Sequence, residues 1–433
     1  MNANRRDFLA SSSKTLVGAA VFANSSLLTT RLHGNPSSAA SGDRIRLGLI
    51  GVGNRGMQNL EELLKKTHCV ELAAVCDVDQ ARMSDAQKLI EQRSGQRCAT
   101  YNDYRRLLDD KSIDAVVIST PDHWHALATI DACRAGKDVY CEKPLTLTIA
   151  EGQAMVAAVR ANKRIVQTGS QQRSDARFRR ACELVRSGAI GKVHTVRVGI
   201  SKVNFKGPEV PDGNPPPELN YDQWLGPAPK RPYNKNRVHY NFRFFWDYSG
   251  GQMTNWGAHH LDIAQWGLGK DGSGPVSALG KARYHQSKLF EVPEWSEVVY
   301  DYGDGTTLYC GHDQPSGTTF VGDRGTISVN RKELKTTPSD LELMPPSENF
   351  VELYRSDDHL DNWLQCIETR ELPICDVAIG HRSATVCHLG NIAIQSGKEV
   401  RWDPVKEQVI GDDVVAQMVS RPYRAPWSLT STR

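Results

Sequence analysis

The amino-acid sequence predicts two joined domains: an N-terminal α/β Rossmann domain with a doubly wound parallel sheet, and a C-terminal α+β domain with an open, mostly antiparallel sheet. Three observations lead to this prediction. The chain has 433 residues, more than one hydrophobic core usually organises. A glycine motif directly follows the first apolar segment. Strand-like and helix-like segments alternate up to about residue 168, after which strand-like segments follow one another.

Composition and charge narrow the class of protein. With 39% hydrophobic and 24% charged residues, the chain is typical of a soluble globular protein. The formal net charge is +3, and the first 40 residues account for it with four basic side chains and one acidic one. The remainder is formally neutral, which argues against a nucleic-acid partner or a basic membrane-binding patch. The ten cysteines include no C-x-x-C pair, so we expect buried thiols.

The glycine motif is the segment that organises the first domain. The motif Gly51-Val52-Gly53-Asn54-Arg55-Gly56 lies between a predicted strand at 45–50 and a helix predicted over 55–66. A second strand, predicted over 70–76, ends at Asp77, about 20 residues after the motif. This order of strand, turn, helix, strand and acid predicts a dinucleotide site. A glycine turn without a ligand is the alternative.

Each residue of this motif has a separable physical role. Gly51 permits the tight turn, Gly53 lets a pyrophosphate approach the backbone, and Gly56 lets the helix pack on the strand. The start of the helix, at Asn54 and Arg55, offers free N–H groups and a positive dipole end to phosphates. The Asp77 carboxylate can accept hydrogen bonds from ribose hydroxyls and repels a 2′-phosphate, which favours NAD over NADP.

Two further strand ends are expected at the same edge of the sheet. The apolar run 114–119 is followed by Thr120-Pro121-Asp122-His123-Trp124-His125, and strand 138–141 by Glu142-Lys143-Pro144. Ligands of doubly wound sheets bind at the carboxyl ends of the strands. The domain is predicted to close with strand 164–168, its boundaries being 43 and 168.

These two segments resemble those of the glucose–fructose oxidoreductase and inositol dehydrogenase family (Gfo/Idh/MocA), and the resemblance extends from residue 43 to about 405. It implies NAD as cofactor, with Lys143 beside the nicotinamide and the substrate hydroxyl and Glu142 at the nicotinamide ribose. Thr120, Pro121 and His125 are expected to contact the cofactor as well. His123 and His125 could also suggest a metal, but no third ligand is evident nearby, so we expect none.

A second motif of that family follows an aromatic run in the C-terminal half. The chain matches its pattern at Gly250, Gly251, Gly257, His259 and Asp262. The resemblance places His259 opposite Lys143 as a general acid–base, since positions 255, 259 and 262 would share one helix face. A histidine satisfied within the helix is the alternative. The residues expected to bind substrate are Arg173, Asn255, Trp256, His260 and Asp262.

Asn255 stands where the family pattern has Asp. An amide orients an imidazole but does not stabilise its charged form, so we expect His259 to be less basic than in relatives with Asp. The other segments of the second domain, 169–405, are predicted as helices and strands around a proline-rich loop at 206–236, which we expect to be ordered over the cleft. Its sheet is expected to pair with a second copy of the chain, and the tail 406–433 carries no signal.

The N-terminal segment, 1–42, resembles a twin-arginine export signal and leader. Arg5-Arg6 precedes Phe8-Leu9 and a mildly apolar stretch that is too short and too polar to be a stable membrane anchor. This predicts the twin-arginine export machinery as a partner and a periplasmic location; a chance Arg-Arg pair is the alternative. Because that route carries folded proteins, a tightly held cofactor could travel with the protein.

The leading functional hypothesis is an NAD-dependent oxidoreductase that acts on CH–OH groups of a sugar, sugar derivative or cyclitol. Hydride passes between substrate carbon and nicotinamide, and Lys143 with His259 handles the hydroxyl proton. One alternative is a redox-neutral glycosidase or lyase, which oxidises the sugar transiently, eliminates a substituent and returns the hydride. A further alternative is a non-catalytic protein that binds sugar and nucleotide.

Overall fold

The computed structural model describes residues 44–343 and 350–430. The predicted export signal, with Arg5 and Arg6, lies outside these residues. None of the helices in the described ranges is both long and apolar enough to cross a membrane. All ten cysteines are free thiols, and nine of them are buried.

The first sheet has six parallel strands in the order β3-β2-β1-β4-β5-β6. It forms because apolar runs such as β4, which is buried throughout, suit a strand covered on both faces. This confirms the predicted doubly wound Rossmann sheet. The strands are β1 (Ile45–Ile50), β2 (Val70–Cys76), β3 (Ala99–Tyr101), β4 (Ala115–Ile118), β5 (Asp138–Cys141) and β6 (Val166–Thr168).

Helices cover both faces of this sheet. Those that alternate with its strands are α1 (Asn54–Leu64), α2 (Gln80–Ser94), α3 (Tyr104–Asp109), α4 (His125–Arg134) and α5 (Ile149–Ala161). A later helix, α10 (His359–Thr369), also packs here, because its Leu360, Trp363 and Leu364 join the core on the α1 side. The predicted boundary at 168 had assigned this helix to the second domain, so the chain returns to the first sheet after leaving it.

The second sheet has nine strands in the order β13-β12-β11-β7-β10-β9-β8-β14-β15. Its strand pairs are antiparallel except for β7 and β10, which confirms an open, mostly antiparallel sheet. The strands are β7 (Val193–Gly199), β8 (Ser277–Arg283), β9 (Trp295–Asp301), β10 (Thr307–Gly311), β11 (Gly317–Gly322), β12 (Gly325–Val329), β13 (Leu334–Thr337), β14 (Val400–Asp403) and β15 (Gln408–Val409).

One face of the second sheet packs against helices, and one long helix joins the two domains. The helices of this half are α6 (Ala176–Arg186), α7 (Tyr221–Leu225), α8 (Gly251–Asn255), α9 (Gly257–Leu268), α11 (Val377–Ser396) and α12 (Asp413–Gln417). Helix α11 contacts β8 and α9 on one side and α5 and β6 of the first domain on the other. The two domains therefore share a buried element.

The proline-rich segment is folded over the cleft as a roof. We call residues 200–245 the roof loop. Helix α7 anchors it, because Trp224 is only 4% exposed and packs against Tyr248 at 4.9 Å between ring centroids. The indole N–H of Trp124 and a ring nitrogen of His123 both contact the Trp224 carbonyl, at 3.1 and 2.9 Å. These contacts hold the roof loop against the segment that follows β4.

The C-terminal tail is packed against the first domain. Tyr423, Trp427 and Leu429 contact its core around α3 and α4. The Tyr423 hydroxyl donates a 2.6 Å hydrogen bond to Glu151 on α5. The sequence analysis attached no role to this segment, yet it forms part of the domain surface.

Candidate active site

A cavity of about 480 Å³ opens at the carboxyl ends of β1, β2, β4 and β5 and extends to the second domain. The glycine turn, Asp77 and the segments after β4 and β5 form its floor. Lys143 from the first domain and His259 from the second both line it. The structure thus brings the two predicted proton-transfer residues into one cavity.

The glycine turn fits a pyrophosphate. Gly51 has a φ of +83°, and a Cβ there would lie 2.8 Å from the backbone of Ser119 and Thr120. A Cβ on Gly56 would lie 2.1 Å from the Gly51 carbonyl oxygen, so α1 packs directly on the turn. Gly53 is the N-cap and supplies no capping side chain, which leaves the helix N-terminus to an anionic ligand.

Asp77 is held rigidly beside this turn. Its two carboxylate oxygens accept hydrogen bonds from the N–H of Val52, at 2.8 Å, and of Asp79, at 2.9 Å. Each oxygen keeps a further lone pair. The carboxylate lines the cavity, where it can accept from ribose hydroxyls. Together with the turn, this donor and acceptor set fits NAD.

We expect Asp77→Ser to reduce the preference for NAD over NADP by roughly 10- to 100-fold, since a hydrogen bond to a charged group contributes about 1.5–3 kcal/mol. The measurement is the ratio of the dissociation constants of the two reduced nucleotides. A thermal melt of the variant tests whether the turn stays folded. An unchanged ratio in a folded variant would contradict the assignment.

The Glu142 carboxylate, directly after β5, accepts several hydrogen bonds. Its Oε1 accepts from Arg55 Nε at 2.7 Å and from Asn59 and Gln171 side-chain amides, both at 3.1 Å. Burial alone would raise the pKa of Glu142, but the charge and hydrogen bond of Arg55 and the other donors outweigh burial and lower it. A Cβ on Gly169 would lie 2.9 Å from this carboxylate. Glu142 is therefore an ionised, fixed acceptor in the cavity wall.

Lys143 is tied to the second domain. Its Nζ donates to both the backbone and the side-chain oxygen of Asn255, each at 3.0 Å. Burial lowers the pKa of Lys143 to about 8; the neighbouring Glu142 opposes this change, while Arg243 and Arg55 add to it. At pH 7 roughly a tenth of this amine is therefore neutral, and the neutral fraction, which a proton acceptor requires, grows as the pH rises toward 8.

His259 lies at the start of α9. Its Nδ1 is buried and has no hydrogen-bond partner among the described residues. Burial lowers the pKa of His259 well below its ordinary value, and the charges of Lys143 and Arg331 lower it further. The imidazole is therefore neutral, and because His259 lines the cavity it can donate to, or accept from, a substrate oxygen.

The structure corrects the expected role of Asn255. Its side-chain oxygen accepts from Lys143 and its Nδ2 donates to Gln252 at 3.0 Å, so this amide does not orient His259. The reason is local: Lys143 donates to the Asn255 backbone oxygen, and the His259 N–H donates to the Trp256 carbonyl oxygen at 3.1 Å, so the helical hydrogen bonds are interrupted between α8 and α9. Asn255 and Trp256 do line the cavity, as predicted substrate contacts should.

Three of the residues predicted to bind substrate, Arg173, His260 and Asp262, do not lie in the cavity. Arg173 and Asp262 are each 1% exposed and form an ion pair at 2.8 Å, and Arg173 also binds Asp271 at 2.7 Å. His260 Nδ1 lies 2.8 Å from the Gly199 carbonyl oxygen. None of the three side chains lines the cavity. They instead hold α9, which carries His259, against its own domain.

We expect Arg173→Met to lower the free energy of unfolding by about 3–5 kcal/mol, because it leaves the Asp262 carboxylate buried without its partner. Urea denaturation measures the loss. Arg177→Met is a matched control, since its pair with Asp175 is exposed and contributes at most about 1 kcal/mol. Equal effects of the two substitutions would show that the buried pair is not the stabilising contact.

His123 and His125, which follow β4, connect neighbouring loops through hydrogen bonds. His125 has its ring nitrogens 2.7 Å from the Pro144 carbonyl oxygen and 3.0 Å from that of Thr120, which ties the segments after β4 and β5 together. Burial lowers the pKa of His123 to about 4. Within the described ranges, no group of three His, Cys, Asp or Glu side chains is arranged to hold a metal ion. Thr120, Pro121 and His125 line the cavity, and their contact with the cofactor stays a prediction.

Sequence reasoning missed many residues that line the cavity, and Arg243, Arg331 and Trp427 are three of them. Arg243 belongs to the roof loop and stacks on Tyr240 and Phe242, Arg331 follows β12 and stacks on Trp256, and Trp427 comes from the tail. Arg331 and Trp427 come from segments far in sequence from the motifs, while Arg243 lies in the aromatic run just before Gly250. The only signals were an arginine inside an aromatic run and a tryptophan in a polar tail.

A Rossmann sheet with this turn, and a cavity at the carboxyl ends of its strands, defines a class of dinucleotide-binding proteins. Residues 45–170 match the oxidoreductase family, NAD-binding Rossmann fold, and residues 177–429 match the oxidoreductase family, C-terminal alpha/beta domain. The chain belongs to the Gfo/Idh/MocA oxidoreductase family, and its cofactor is NAD.

Individual relatives show similarity over part of the chain. The chain is 32% identical over 186 residues to inositol 2-dehydrogenase from Salmonella typhimurium, and the matched part covers 42% of this chain and 54% of the relative. It is 34% identical over 175 residues to alpha-N-acetylgalactosaminidase from Shewanella oneidensis, covering 37% and 38%. The chain thus spans about half the length of the first relative and less of the second. The WlbA dehydrogenase from Bordetella pertussis, solved with NADH and UDP-GlcNAcA, shares the fold, with 19% identity, coverage of 83% and 99%, and a TM-score of 0.61.

Proposed function

We propose that the protein is an NAD-dependent oxidoreductase that acts on a CH–OH group of a sugar, sugar derivative or cyclitol. The observation that carries this proposal is the cavity itself, where Lys143 and His259 face the space beside the glycine turn and Asp77. NAD, when bound, supplies the acceptor for a hydride from the substrate carbon. The similarity to inositol 2-dehydrogenase supports the class of substrate.

The proton steps fall to the chain's own residues. A neutral Lys143 amine accepts the proton of the reacting hydroxyl, and its bonds to Asn255 aim it across the cavity. The neutral imidazole of His259, which lines the cavity, binds the same oxygen or its neighbour and restricts how the sugar lies. Trp256 supplies an apolar wall next to His259, with ring centroids 6.0 Å apart.

The test is an assay of the purified protein with NAD and a panel of free sugars, cyclitols and glycosides. The proposal predicts net NADH formation, seen as absorbance of the reduced nicotinamide, with at least one free sugar or cyclitol. Product analysis identifies the oxidised carbon. No oxidation of any member, in a protein shown to bind NAD, would contradict the proposal for these substrates.

A redox-neutral glycosidase or lyase is the second candidate. The similarity to alpha-N-acetylgalactosaminidase supports it, as does the expected export, because an exported enzyme has no pool of NAD for exchange. Its signature is cleavage of a glycoside without net NADH, with solvent deuterium entering beside the transiently oxidised carbon. A non-catalytic sugar-binding protein, the third candidate, would show neither reaction.

We also propose that the protein is exported by the twin-arginine route to the periplasm and that it is a homo-oligomer. Arg5-Arg6 supports export, and fractionation of cells that express the full chain tests it. The open face of the second sheet exposes Leu279 of β8 by 53%, and Tyr284, which directly follows β8, is 43% exposed; these apolar side chains support pairing with a second copy. Sedimentation of the purified chain measures its state of assembly.

A further inference from the structure

We infer that residues 413–430 of the C-terminal tail complete the adenine end of the NAD site and slow the release of the nucleotide. Trp427 is the side chain that contacts the adenine. This inference goes beyond the proposed function, because it concerns NAD alone and is independent of the substrate.

The cavity has two distinguishable ends. Lys143, after β5, marks the end where the reaction takes place, while Asn102–Arg105, which follow β3 and begin α3, mark the other. Asp77, after β2, lies between them and is the acceptor suited to a ribose. In the sheet order, β2 and β3 lie on the opposite side of β1 from β5. The adenine is therefore expected near the start of α3, away from Lys143.

Trp427 lies at that far end. Its indole lines the cavity and is half-buried. The Arg105 guanidinium lies 4.9 Å from its ring centroid, and the Trp124 ring meets it edge-on at 4.9 Å. Two neighbours thus hold the indole in place. A base that stacks on such an aromatic ring gains binding energy whatever its hydrogen bonds are.

The tail is anchored on both sides of the cavity. On the first domain, the Ala150 N–H donates to the Val419 carbonyl oxygen at 3.0 Å, and Tyr423 binds Glu151. On the roof loop, Arg424 donates from its backbone N–H to Pro227 and from its Nε to Gly226, both at 2.9 Å. The tail therefore ties the roof loop to the first domain directly beside Trp427.

Such an arrangement has a kinetic consequence. A nucleotide that stacks on Trp427 leaves only after the indole contact breaks, and the anchors oppose movement of the tail. Loss of one stacking contact with a base corresponds to a roughly 10- to 100-fold weaker affinity. Among variants of one site, most of such a change is found in the dissociation rate.

The experiment measures the release of NADH from the purified full chain by chasing bound NADH with excess NAD and following its fluorescence. We expect Trp427→Ala to release NADH roughly 10- to 100-fold faster and Trp427→Phe to stay near the wild type. Trp295→Ala is the matched control, because Trp295 is also half-buried but does not line the cavity, and it should leave release unchanged. Reduced nicotinamide mononucleotide, which lacks the adenosine, should bind wild type and Trp427→Ala equally.

A second measurement does not depend on the folding of any variant. Hydrogen exchange of the wild-type tail should slow over 420–430 when NADH is added. A release rate within twofold of the wild type for Trp427→Ala, or tail exchange that NADH leaves unchanged, would overturn the inference. An equal loss of affinity for the mononucleotide would overturn the adenine assignment.

Discussion

Replacing Lys143 with methionine is expected to lower kcat for sugar oxidation by roughly 10²- to 10⁴-fold while NAD stays bound, because general base catalysis contributes an effect of this size. Methionine keeps the length and apolar stem of the side chain but has no group that accepts a proton. The measurement is the initial rate of NADH formation at saturating substrate. The dissociation constant of NADH, measured separately, should change little.

Lys143→Arg is the matched control for this result. Arginine keeps the positive charge and can still donate to Asn255, but its guanidinium does not release a proton in this pH range. We therefore expect it to be nearly as slow as the methionine variant. If the arginine variant kept most of the activity, Lys143 would act as a fixed charge, and the base would have to be sought elsewhere.

Asn255→Asp is expected to shift the rising limb of the pH–rate profile for oxidation toward higher pH. The Lys143 pKa lies at about 8, so activity should rise as pH passes through that value and the neutral amine appears. A carboxylate in place of the amide oxygen, 3.0 Å from Nζ, favours the charged ammonium and raises its pKa by roughly 1–3 units. At neutral pH, oxidation then slows roughly 10-fold or more.

The profile of kcat/KM against pH checks this expectation, with reduction of the corresponding ketone as the opposing case. Reduction uses the charged ammonium of Lys143 as proton donor. Asn255→Asp should therefore keep the reduction rate high up to a higher pH than in the wild type. Asn255→Gln keeps a neutral amide and should leave the position of the limb unchanged. A limb that does not move in Asn255→Asp would show that the titrating group is not Lys143.

The fold was predictable where local pattern and buried position agree. Continuous apolar runs such as 114–119 have few alternatives to a strand covered on both faces, and the strands predicted at 45–50, 70–76, 114–119, 138–141 and 164–168 correspond to β1, β2, β4, β5 and β6. The sequence analysis identified no strand at β8, β11, β13, β14 or β15. Strand β8 mixes small and charged residues, while β11 lies between glycines and β13 has four residues, so pairing with neighbouring strands rather than their own composition makes them strands.

The site was predictable at the strand ends and less so elsewhere. Gly51, Asp77, Glu142 and Lys143 follow strands directly, and the topology alone brings them to one edge. The interruption at Trp256 has no proline or other plain signal, and the expected contact of Asn255 with His259 was wrong because the Asn255 amide binds Lys143 and Gln252 instead. Arg243, Arg331 and Trp427 reach the cavity only through contacts between segments distant in sequence, which periodicity does not report.

The two hydrogen bonds from Lys143 to Asn255 join a strand end of one domain to a helix break of the other. Any swing that parts the domains would break both bonds and let water reach the amine, whose affinity for a proton would climb back toward that of a free lysine. Proton uptake would then accompany opening. Lys143 would then be an active base only while the domains are closed around the substrate. Closure would both position the amine and lower its affinity for a proton.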